Sequence, residues 1–355
     1  MKVLVLAAAG GEAHRRMLGE VVRVAAGHAE VRVLAPDAVG AALRSSGVPI
    51  ESWQPAGLFD VLRSVGALRL AVERDPPDVV HAVGWTAAAV ALGVLTGAPA
   101  ARTIVTLVDP IHEHEMPKPF VEKRLPELLR RAPRATCVFP GLRRELVERF
   151  GVDPARVTIV PYGVAPRPLA PAVRPAGRAG PLLGAAAPAD RDDGWQTAIA
   201  TLAYLARSLP EARLHLPVRG SQAGRVRAFA RGLGVEREVL CDAEGAPATE
   251  PDLVLVPNGQ HGLPYALLQA LVDGVPVVAA GSALAETLEP YPAARLVRDD
   301  PADFAAAVEE LWPRIDAVWA SAQAQRAAAT AALDPALVAG ALQALYADAA
   351  GSGSV

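Results

Sequence analysis

The chain has 355 residues, of which 52% are hydrophobic and 21% are charged, a balance typical of a soluble globular protein with room for two domains. The formal net charge of −3 argues against a dedicated nucleic-acid binder, because phosphate contacts require a clustered basic surface. The two cysteines, Cys137 and Cys241, lie in or beside apolar runs, and the sequence has no CxxC metal motif. We therefore expect reduced core thiols in a cytoplasmic protein.

The first half of the chain alternates short apolar runs with amphipathic stretches. The runs predict strands at Val3–Leu6, Val31–Leu34, Asp78–Ala82, Arg102–Leu107, Ala135–Phe139 and Val157–Val160. The N-terminus predicts a strand rather than a signal peptide, because its short apolar run leads directly into a helix at Glu12–Ala26. The most apolar later stretch, Thr86–Ala98, is too short to span a bilayer. This alternation predicts a parallel sheet covered by helices on both faces.

A proline-rich segment at 164–181 interrupts the alternation and predicts a linker between two domains. The alternation then resumes, with strands predicted at Leu182–Ala186, Arg213–Pro217, Glu238–Cys241, Leu253–Val256, Val275–Ala279 and Ala294–Val297. We predict an α/β protein with two Rossmann-like domains facing each other across a cleft. The expected bounds are 1–163 and 182–332, with a C-terminal helix in 333–355 that returns to the first domain.

The stretch 251–281 forms the clearest βαβ unit. An apolar strand is followed by a turn at 258–261, a helix opened by Pro264, a glycine stop at Gly274 and a β-branched run. In an open parallel sheet, ligands bind beyond the carboxyl ends of the strands. The turn at 258–261 is therefore where we expect chemistry.

Five stretches together resemble the GT-B glycosyltransferases, and specifically the retaining family 4. They are Gly10-Gly11, AAGHAEVRVLAP (25–36), DVVHAVGWTAAAVAL (78–92), LRRELVERFGVDPARVTIVPYGV (142–164) and GLPYALLQALVDGVPVVAA (262–280). Their order and spacing run through most of the chain. The resemblance implies the GT-B fold and transfer of a sugar from a nucleotide-sugar donor to an unknown acceptor, with no metal or other cofactor required.

The residues that usually work in this family are replaced here. The family's two glutamates, which hold the donor sugar and the ribose, fall on His261 and Gln269. Its arginine and lysine, which neutralise the diphosphate, fall on Pro188 and Asp193, and its donor-facing histidine falls on Val108. Both His261 and Gln269 can hydrogen-bond a hydroxyl, but neither is a carboxylate at neutral pH. A diphosphate would need other cations or a helix N-terminus.

The resemblance nevertheless places a candidate site. Its candidate catalytic residues are His261, His112 and His114, and its candidate donor-binding residues are Gly10, Gly11, Arg191, Arg219, Gly262, Leu263 and Gln269. For several of the histidines, a structural explanation without a catalytic role is also open. A solvated loop is the favoured explanation for His112 and His114, and a hydrogen-bonded core histidine is the alternative for His81. His14, on the first helix, is a further residue that could reach the cleft.

Two functions of different classes remain open. One is an active glycosyltransferase, and the other is a catalytically inactive homologue that binds or regulates a partner, such as a related glycosyltransferase.

The basic segment Lys118–Arg134 bears on whether the protein contacts a membrane. Its apolar residues predict either a peripheral contact with anionic lipid or the inward face of a solvated helix. Donor, acceptor and oligomeric state are not specified by the sequence.

Overall fold

The computed structural model describes residues 1–8, 12–53, 58–111, 119–167, 174, 177–185, 194–218, 222–241, 251–257, 263–281 and 284–351. The chain divides into two compact units. Unit 1 comprises Met1–Gly163 and Pro335–Val355, and unit 2 comprises Val164–Asp334. Unit 2 is therefore one continuous segment, whereas unit 1 is assembled from both ends of the chain.

Unit 1 contains a parallel sheet of seven strands. In chain order these are β1 (Lys2–Ala7), β2 (Glu30–Ala35), β3 (Ile50–Ser52), β4 (Val79–Val83), β5 (Thr103–Leu107), β6 (Arg134–Cys137) and β7 (Val157–Ile159). They lie in the order β3-β2-β1-β4-β5-β6-β7. The order reverses direction between β1 and β4, where Val5 pairs with His81. In such a sheet this reversal opens a crevice at the carboxyl ends of the two strands.

Helices follow most strands of unit 1. They are α1 (Glu12–Ala26), α2 (Asp37–Leu43), α3 (Leu58–Arg74), α4 (Trp85–Val94), α5 (Gly97–Ala101), α6 (Leu125–Leu129), α7 (Pro140–Arg144) and the C-terminal α14 (Pro335–Gly351). Single π-helical turns at Phe120–Arg124 and Glu145–Arg149 adjoin α6 and α7. The apolar core includes Leu4, Trp53 and Leu68, each buried. Central strands β1, β4 and β5 are buried along nearly their whole length, as expected for a doubly covered sheet.

Unit 2 repeats the architecture with six parallel strands. They are β8 (Leu182–Ala185), β9 (Arg213–Leu216), β10 (Val239–Cys241), β11 (Leu253–Val256), β12 (Val277–Ala280) and β13 (Ala294–Val297), in the order β10-β9-β8-β11-β12-β13. Its helices are α8 (Trp195–Leu205), α9 (Gln222–Gly232), α10 (Tyr265–Asp273), α11 (Ala285–Leu288), α12 (Pro301–Leu311) and α13 (Ile315–Ala332). The reversal of strand order falls between β8 and β11. Two parallel sheets with helices confirm the predicted α/β fold class.

The βαβ unit of the second half differs in detail from its prediction. Pro264 does not open the helix but precedes it in an extended conformation, with φ −64° and ψ 131°, and α10 begins at Tyr265. At the other end of α10, the Val275 N–H donates to the carbonyl of Ala270 over 2.8 Å. Val275 therefore belongs to the cap of the helix, and β12 begins only at Val277. Gly274 accordingly adopts the left-handed conformation, with φ +72°, that ends the helix.

A buried carboxylate within unit 2 holds the described residues Arg174 and Arg178 of the proline-rich segment. Asp252, which precedes β11, is fully buried. It accepts hydrogen bonds from Arg174 Nε over 2.7 Å, from Arg178 Nη1 over 2.9 Å and from the Leu182 N–H over 2.8 Å. Arg174 also lies over the Trp312 ring, 4.8 Å from its centroid. The chain is thereby fixed before it enters β8.

The basic segment of unit 1 is folded with its apolar face inward. Val121, Leu125, Leu128 and Leu129 are all buried, and α6 packs on α4. The charged residues Lys123 and Arg124 are exposed. These four apolar residues are therefore part of the core of unit 1, and the peripheral contact with anionic lipid stays a prediction.

The helical stretch Pro301–Gly351 is long and apolar enough to pass a test for a membrane span based on length and hydropathy alone. It consists of three helices, α12 to α14, rather than one. Trp319 of α13 is buried in unit 2, where its Nε1 donates to the Asp252 carbonyl over 2.8 Å. Tyr346 of α14 is buried in unit 1. Each helix thus has an apolar face packed within its own unit.

Candidate functional site

Most of the predicted site residues belong, in the sequence, to segments that follow strands of unit 2. Both loops at the reversal between β8 and β11, 186–193 and 258–262, lie outside the described residues. The same holds for most of the predicted site residues, namely Gly10, Gly11, His112, His114, Arg191, Arg219, His261 and Gly262. Their proposed roles remain predictions. Of the predicted set, Leu263 and Gln269 are the residues that the structure places.

Helix α10 directs its N-terminus to the carboxyl edge of the unit 2 sheet. Leu263, just before it, is buried, so its side chain packs in the core and only its backbone could meet a ligand. Pro264 removes one backbone donor, and the Leu267 N–H donates to its carbonyl over 3.0 Å. The first-turn N–H groups of a helix carry partial positive charge and suit an anion such as a phosphate. Within the described part of unit 2, helix α10 is thus one element whose N-terminus could meet a diphosphate.

Gln269, one turn further along α10, is held by two acceptors. Its Nε2 donates to the carbonyl of Ala165 over 3.2 Å and to Asp273 Oδ2 over 3.0 Å. Asp273 is fully buried and also accepts from Arg167, whose backbone N–H lies 3.0 Å from Oδ1 and whose Nε lies 2.6 Å from Oδ2. The neutral amide of Gln269 therefore has a carboxylate and an arginine beside it.

Asp273 and Arg167 were missed by the sequence reasoning. A signal for Asp273 is present, because an ionisable residue four positions after Gln269 lies on the same helix face within an otherwise apolar run. Arg167 has no comparable signal. It stands in a proline-rich segment, and its pairing with a residue 106 positions later follows only from the packing.

The carboxyl edge of the unit 1 sheet brings together residues at the reversal between β1 and β4. His14 of α1 is buried and lies against Gly84, which follows β4. Gly84 has φ +89°, and a Cβ atom there would lie 2.4 Å from His14 Cε1. Only glycine lets the imidazole approach the backbone this closely. His14 therefore lies at the strand reversal of unit 1, and its reach to the cleft stays a prediction.

A second set of residues, Trp85, Asp109 and Tyr162, follows the ends of β4, β5 and β7. Trp85 Nε1 donates to the carbonyl of Asp109 over 2.7 Å. Burial, with a smaller contribution from the negative charge of Asp109, raises the pKa of the Tyr162 phenol well above its ordinary value. Val108, which follows β5, is buried. The carboxylate of Asp109 and the imidazole of His14 thus both follow or adjoin strand ends at this edge.

His81 does not belong to a site. Its Nδ1 lies 2.8 Å from the Tyr346 hydroxyl and its Nε2 lies 2.7 Å from Thr106 Oγ1, which in turn lies 2.6 Å from Thr136 Oγ1. All four residues are buried. Burial lowers the pKa of the imidazole to about 3, so it is neutral at physiological pH. Of the two alternatives left open by the sequence, the structure selects the hydrogen-bonded core histidine.

Comparisons with known proteins identify a family model and solved structures that this chain resembles. Residues 9–163 match the family model described as "Glycosyl transferase 4-like domain". No curated protein sequence matches the chain. Among solved structures, the Anabaena protein HepE in complex with UDP has a TM-score of 0.75 at 15% identity, covering 98% of this chain and 100% of that one.

Two further structures match over the whole chain. A glycosyltransferase from Rickettsia africae has a TM-score of 0.73 at 11% identity, covering 98% of each chain. Sucrose-phosphate synthase from Thermosynechococcus elongatus has a TM-score of 0.72 at 15% identity, covering 98% of this chain and 99% of that one. At such low identity these likenesses establish the fold, which is that of the GT-B glycosyltransferases. Within unit 1, residues 9–163 are similar to the glycosyl transferase 4-like model.

Proposed function

We propose that this protein is a glycosyltransferase that transfers a sugar from a nucleotide-sugar donor to an acceptor, with retention of configuration. The observation that carries the proposal is the match of unit 1 to a glycosyltransferase 4-like domain, within a chain whose whole length follows a GT-B fold. Two sheets of this kind each offer a ligand-binding edge at their strand reversal. Most of the proposed donor-binding residues belong to unit 2, and Gly10 and Gly11 belong to unit 1, as the family resemblance implies.

The unit 2 geometry supports a nucleoside diphosphate as the bound group. The N-terminus of α10 suits the diphosphate, and Gln269, one turn along the same helix, can accept a hydrogen bond from a ribose hydroxyl. Because the Anabaena relative was solved with UDP and with UDP-glucose, we propose a UDP-sugar as the first donor to test. The acceptor is left unassigned.

Isothermal titration calorimetry against UDP-, GDP- and ADP-sugars tests the binding step. We expect one donor class to bind, and Gln269→Leu to weaken it about tenfold, because one hydrogen bond to a ribose hydroxyl is lost. Gln343→Leu is the matched control, since this exposed glutamine lies on α14 of unit 1. Release of the nucleoside diphosphate then tests turnover. Absence of binding for all three classes at 1 mM, roughly the weakest affinity that still counts as recognition, contradicts the proposal.

A second function is favoured by one specific observation. Val108, at the family's histidine position, is buried and apolar, and Gln269 is neutral where the family has a carboxylate. Loss of a single preorganised catalytic group commonly costs about 10²–10³ in rate. The alternative is therefore a homologue that binds a nucleotide sugar, or a related glycosyltransferase, without turnover. Donor binding without release of nucleoside diphosphate, in the presence of candidate acceptors, supports this alternative.

A further inference from the structure

The arrangement around Gln269 determines which way its side-chain amide faces. Nε2 has two N–H groups, and its two neighbours, the Ala165 carbonyl and Asp273 Oδ2, are both oxygens that only accept. If the amide were rotated by half a turn, Oε1 would face both oxygens and both hydrogen bonds would be lost. The observed orientation is therefore strongly preferred, and it leaves Oε1 as the atom that can accept from a ligand.

Asp273 is itself held rigidly. It is fully buried on α10, and it accepts from the Arg167 backbone N–H and from Arg167 Nε at 3.0 and 2.6 Å. The Arg167 guanidinium neutralises the buried carboxylate, which would otherwise be costly to bury. Asp273 thus joins the segment around residues 165–167 to the helix that carries Gln269. A movable carboxylate could not hold the amide in one orientation, but this one is fixed on both oxygens.

We propose that Asp273 is a positioning residue that fixes the Gln269 amide with its carbonyl oxygen outward, to accept one ribose hydroxyl of a nucleoside diphosphate. The inference rests on the proposed function, because it takes Gln269 as the ribose-contacting residue. It assigns the specificity for ribose to a pair of residues rather than to Gln269 alone. A single outward oxygen accepts one hydroxyl well, whereas a carboxylate offers two oxygens.

The same geometry gives an unusual expectation for the family-like substitution. Gln269→Glu would place a second carboxylate at hydrogen-bond distance from Asp273, where the amide nitrogen now lies 3.0 Å from Oδ2. Two like charges at this distance repel each other, and the hydrogen bond that fixed the side chain is lost. We therefore expect Gln269→Glu alone to weaken nucleotide binding about tenfold. Combining it with Asp273→Asn removes the repulsion and should recover most of that loss.

The direct test compares ribose with deoxygenated ribose. Calorimetry measures the Kd of full-length protein for UDP, ADP and GDP, each beside its 2′,3′-dideoxy counterpart. We expect the wild type to prefer the ribose form of its best nucleotide about tenfold. Asp273→Asn should reduce this preference to below about threefold, because the asparagine can present either an oxygen or a nitrogen and no longer selects one amide orientation.

The matched control loosens the same helix without touching the amide. Gln323 Nε2 donates to the carbonyls of Asp273 and Gly274 over 3.1 and 3.0 Å, and so caps the end of α10. Gln323→Ala should weaken the ribose and dideoxy nucleotides equally and leave their ratio unchanged. A purely structural role for Asp273 would give the same equal weakening in Asp273→Asn, and that result would overturn the positioning role.

Failure of the inference and failure of the proposed function give different results. If no nucleotide binds to the wild type, the proposed function fails, and the ribose role of this pair fails with it. If nucleotides bind but Asp273→Asn keeps the full ribose preference, only the positioning role fails. Should Asp273→Asn not fold, Gln269→Glu carries the test by itself, and tighter ribose-nucleotide binding than in the wild type would overturn the inference.

Discussion

The imidazole with the most strongly shifted pKa in the described part of the chain lies in the core of unit 1. His81 of β4 is fully buried, and burial lowers its pKa from 6.5 to about 3. Its two nitrogens are both satisfied, by Tyr346 and by Thr106. A strongly shifted pKa is often a sign of a functional residue, but here the shift accompanies a structural hydrogen-bond chain.

This imidazole makes the stability of the protein depend on pH. The unfolded chain binds a proton on His81 below about pH 6.5 while the folded chain stays neutral down to about pH 3, so acidification favours unfolding in that window. We expect the stability advantage of the wild type over His81→Gln to be complete above pH 6.5. It should shrink by up to about 1.4 kcal/mol per pH unit as the pH falls from 6.5 toward 3, measured by urea unfolding.

Tyr346→Phe provides the matched control for this prediction. It removes the hydroxyl that satisfies His81 Nδ1, and so should lower the free energy of unfolding by about 1–3 kcal/mol. It keeps the imidazole buried, however, and burial is the cause of the pKa shift. Its pH profile should therefore run parallel to that of the wild type. Parallel profiles for the wild type and His81→Gln would contradict the prediction.

At the level of elements, the start of β11 is joined to the linker by a buried ionic cluster. Asp252 has no exposed side-chain area, whereas the side chains of Arg174 and Arg178 are 12% and 20% exposed. Arg174 also pairs with Asp316, whose side chain is 85% exposed. Burial alone would lower the pKa of Arg174, but its hydrogen bonds to Asp252 and Asp316 outweigh burial and raise it. The two carboxylates thus contact the same arginine in very different surroundings.

We expect Asp252→Ala to lower the free energy of unfolding by about 3–5 kcal/mol, because it leaves two partly buried guanidinium groups and the Leu182 N–H without their acceptor. Asp316→Ala, which removes an exposed partner of the same arginine, should cost less than about 1 kcal/mol. Urea unfolding midpoints measure the difference. Equal midpoints for the two variants would show that the cluster does not anchor the linker.

At the scale of the whole molecule, the two units differ in how the chain builds them. Unit 2 is the continuous segment 164–334, whereas unit 1 needs α14 from the C-terminal end of the chain. Tyr346 on α14 completes the hydrogen bonds of His81, and Arg134 of β6 pairs with Asp348 and donates to its carbonyl. The C-terminal helix is therefore a structural part of the first unit.

This difference predicts unequal behaviour of the isolated segments. We expect 164–334 to fold alone, with a cooperative thermal transition followed by circular dichroism. Residues 1–163 alone should aggregate or unfold at a much lower temperature, because His81 and the neighbouring apolar surface become exposed. Joining 335–355 to residues 1–163 through a flexible linker should restore a cooperative transition. Full stability of 1–163 without α14 would contradict this assignment.

Much of the fold was predictable because parallel strands that are buried on both faces appear in the sequence as continuous apolar runs. The runs at 253–256 and 294–297 match strands β11 and β13 residue for residue. Strand β3 and helix α5 were missed, since three and five residues are too few to show a periodic pattern. The glycine stop at Gly274 is confirmed, but the start of β12 was predicted two residues too early, because Val275 looks like a strand residue and instead donates to the carbonyl of Ala270 at the end of α10.

The sequence by itself determined the α/β class and most of the alternation of strands and helices, because both depend on local pattern and spacing along the chain. Only the tertiary structure decided that His81 is a core residue, since its partner lies 265 positions away. It likewise decided that Gln269 is bonded to Asp273 and that Asp273 is held by Arg167. The physical reason is that a hydrogen bond depends on direction and distance in space, and neither is set until the helices pack on the sheet.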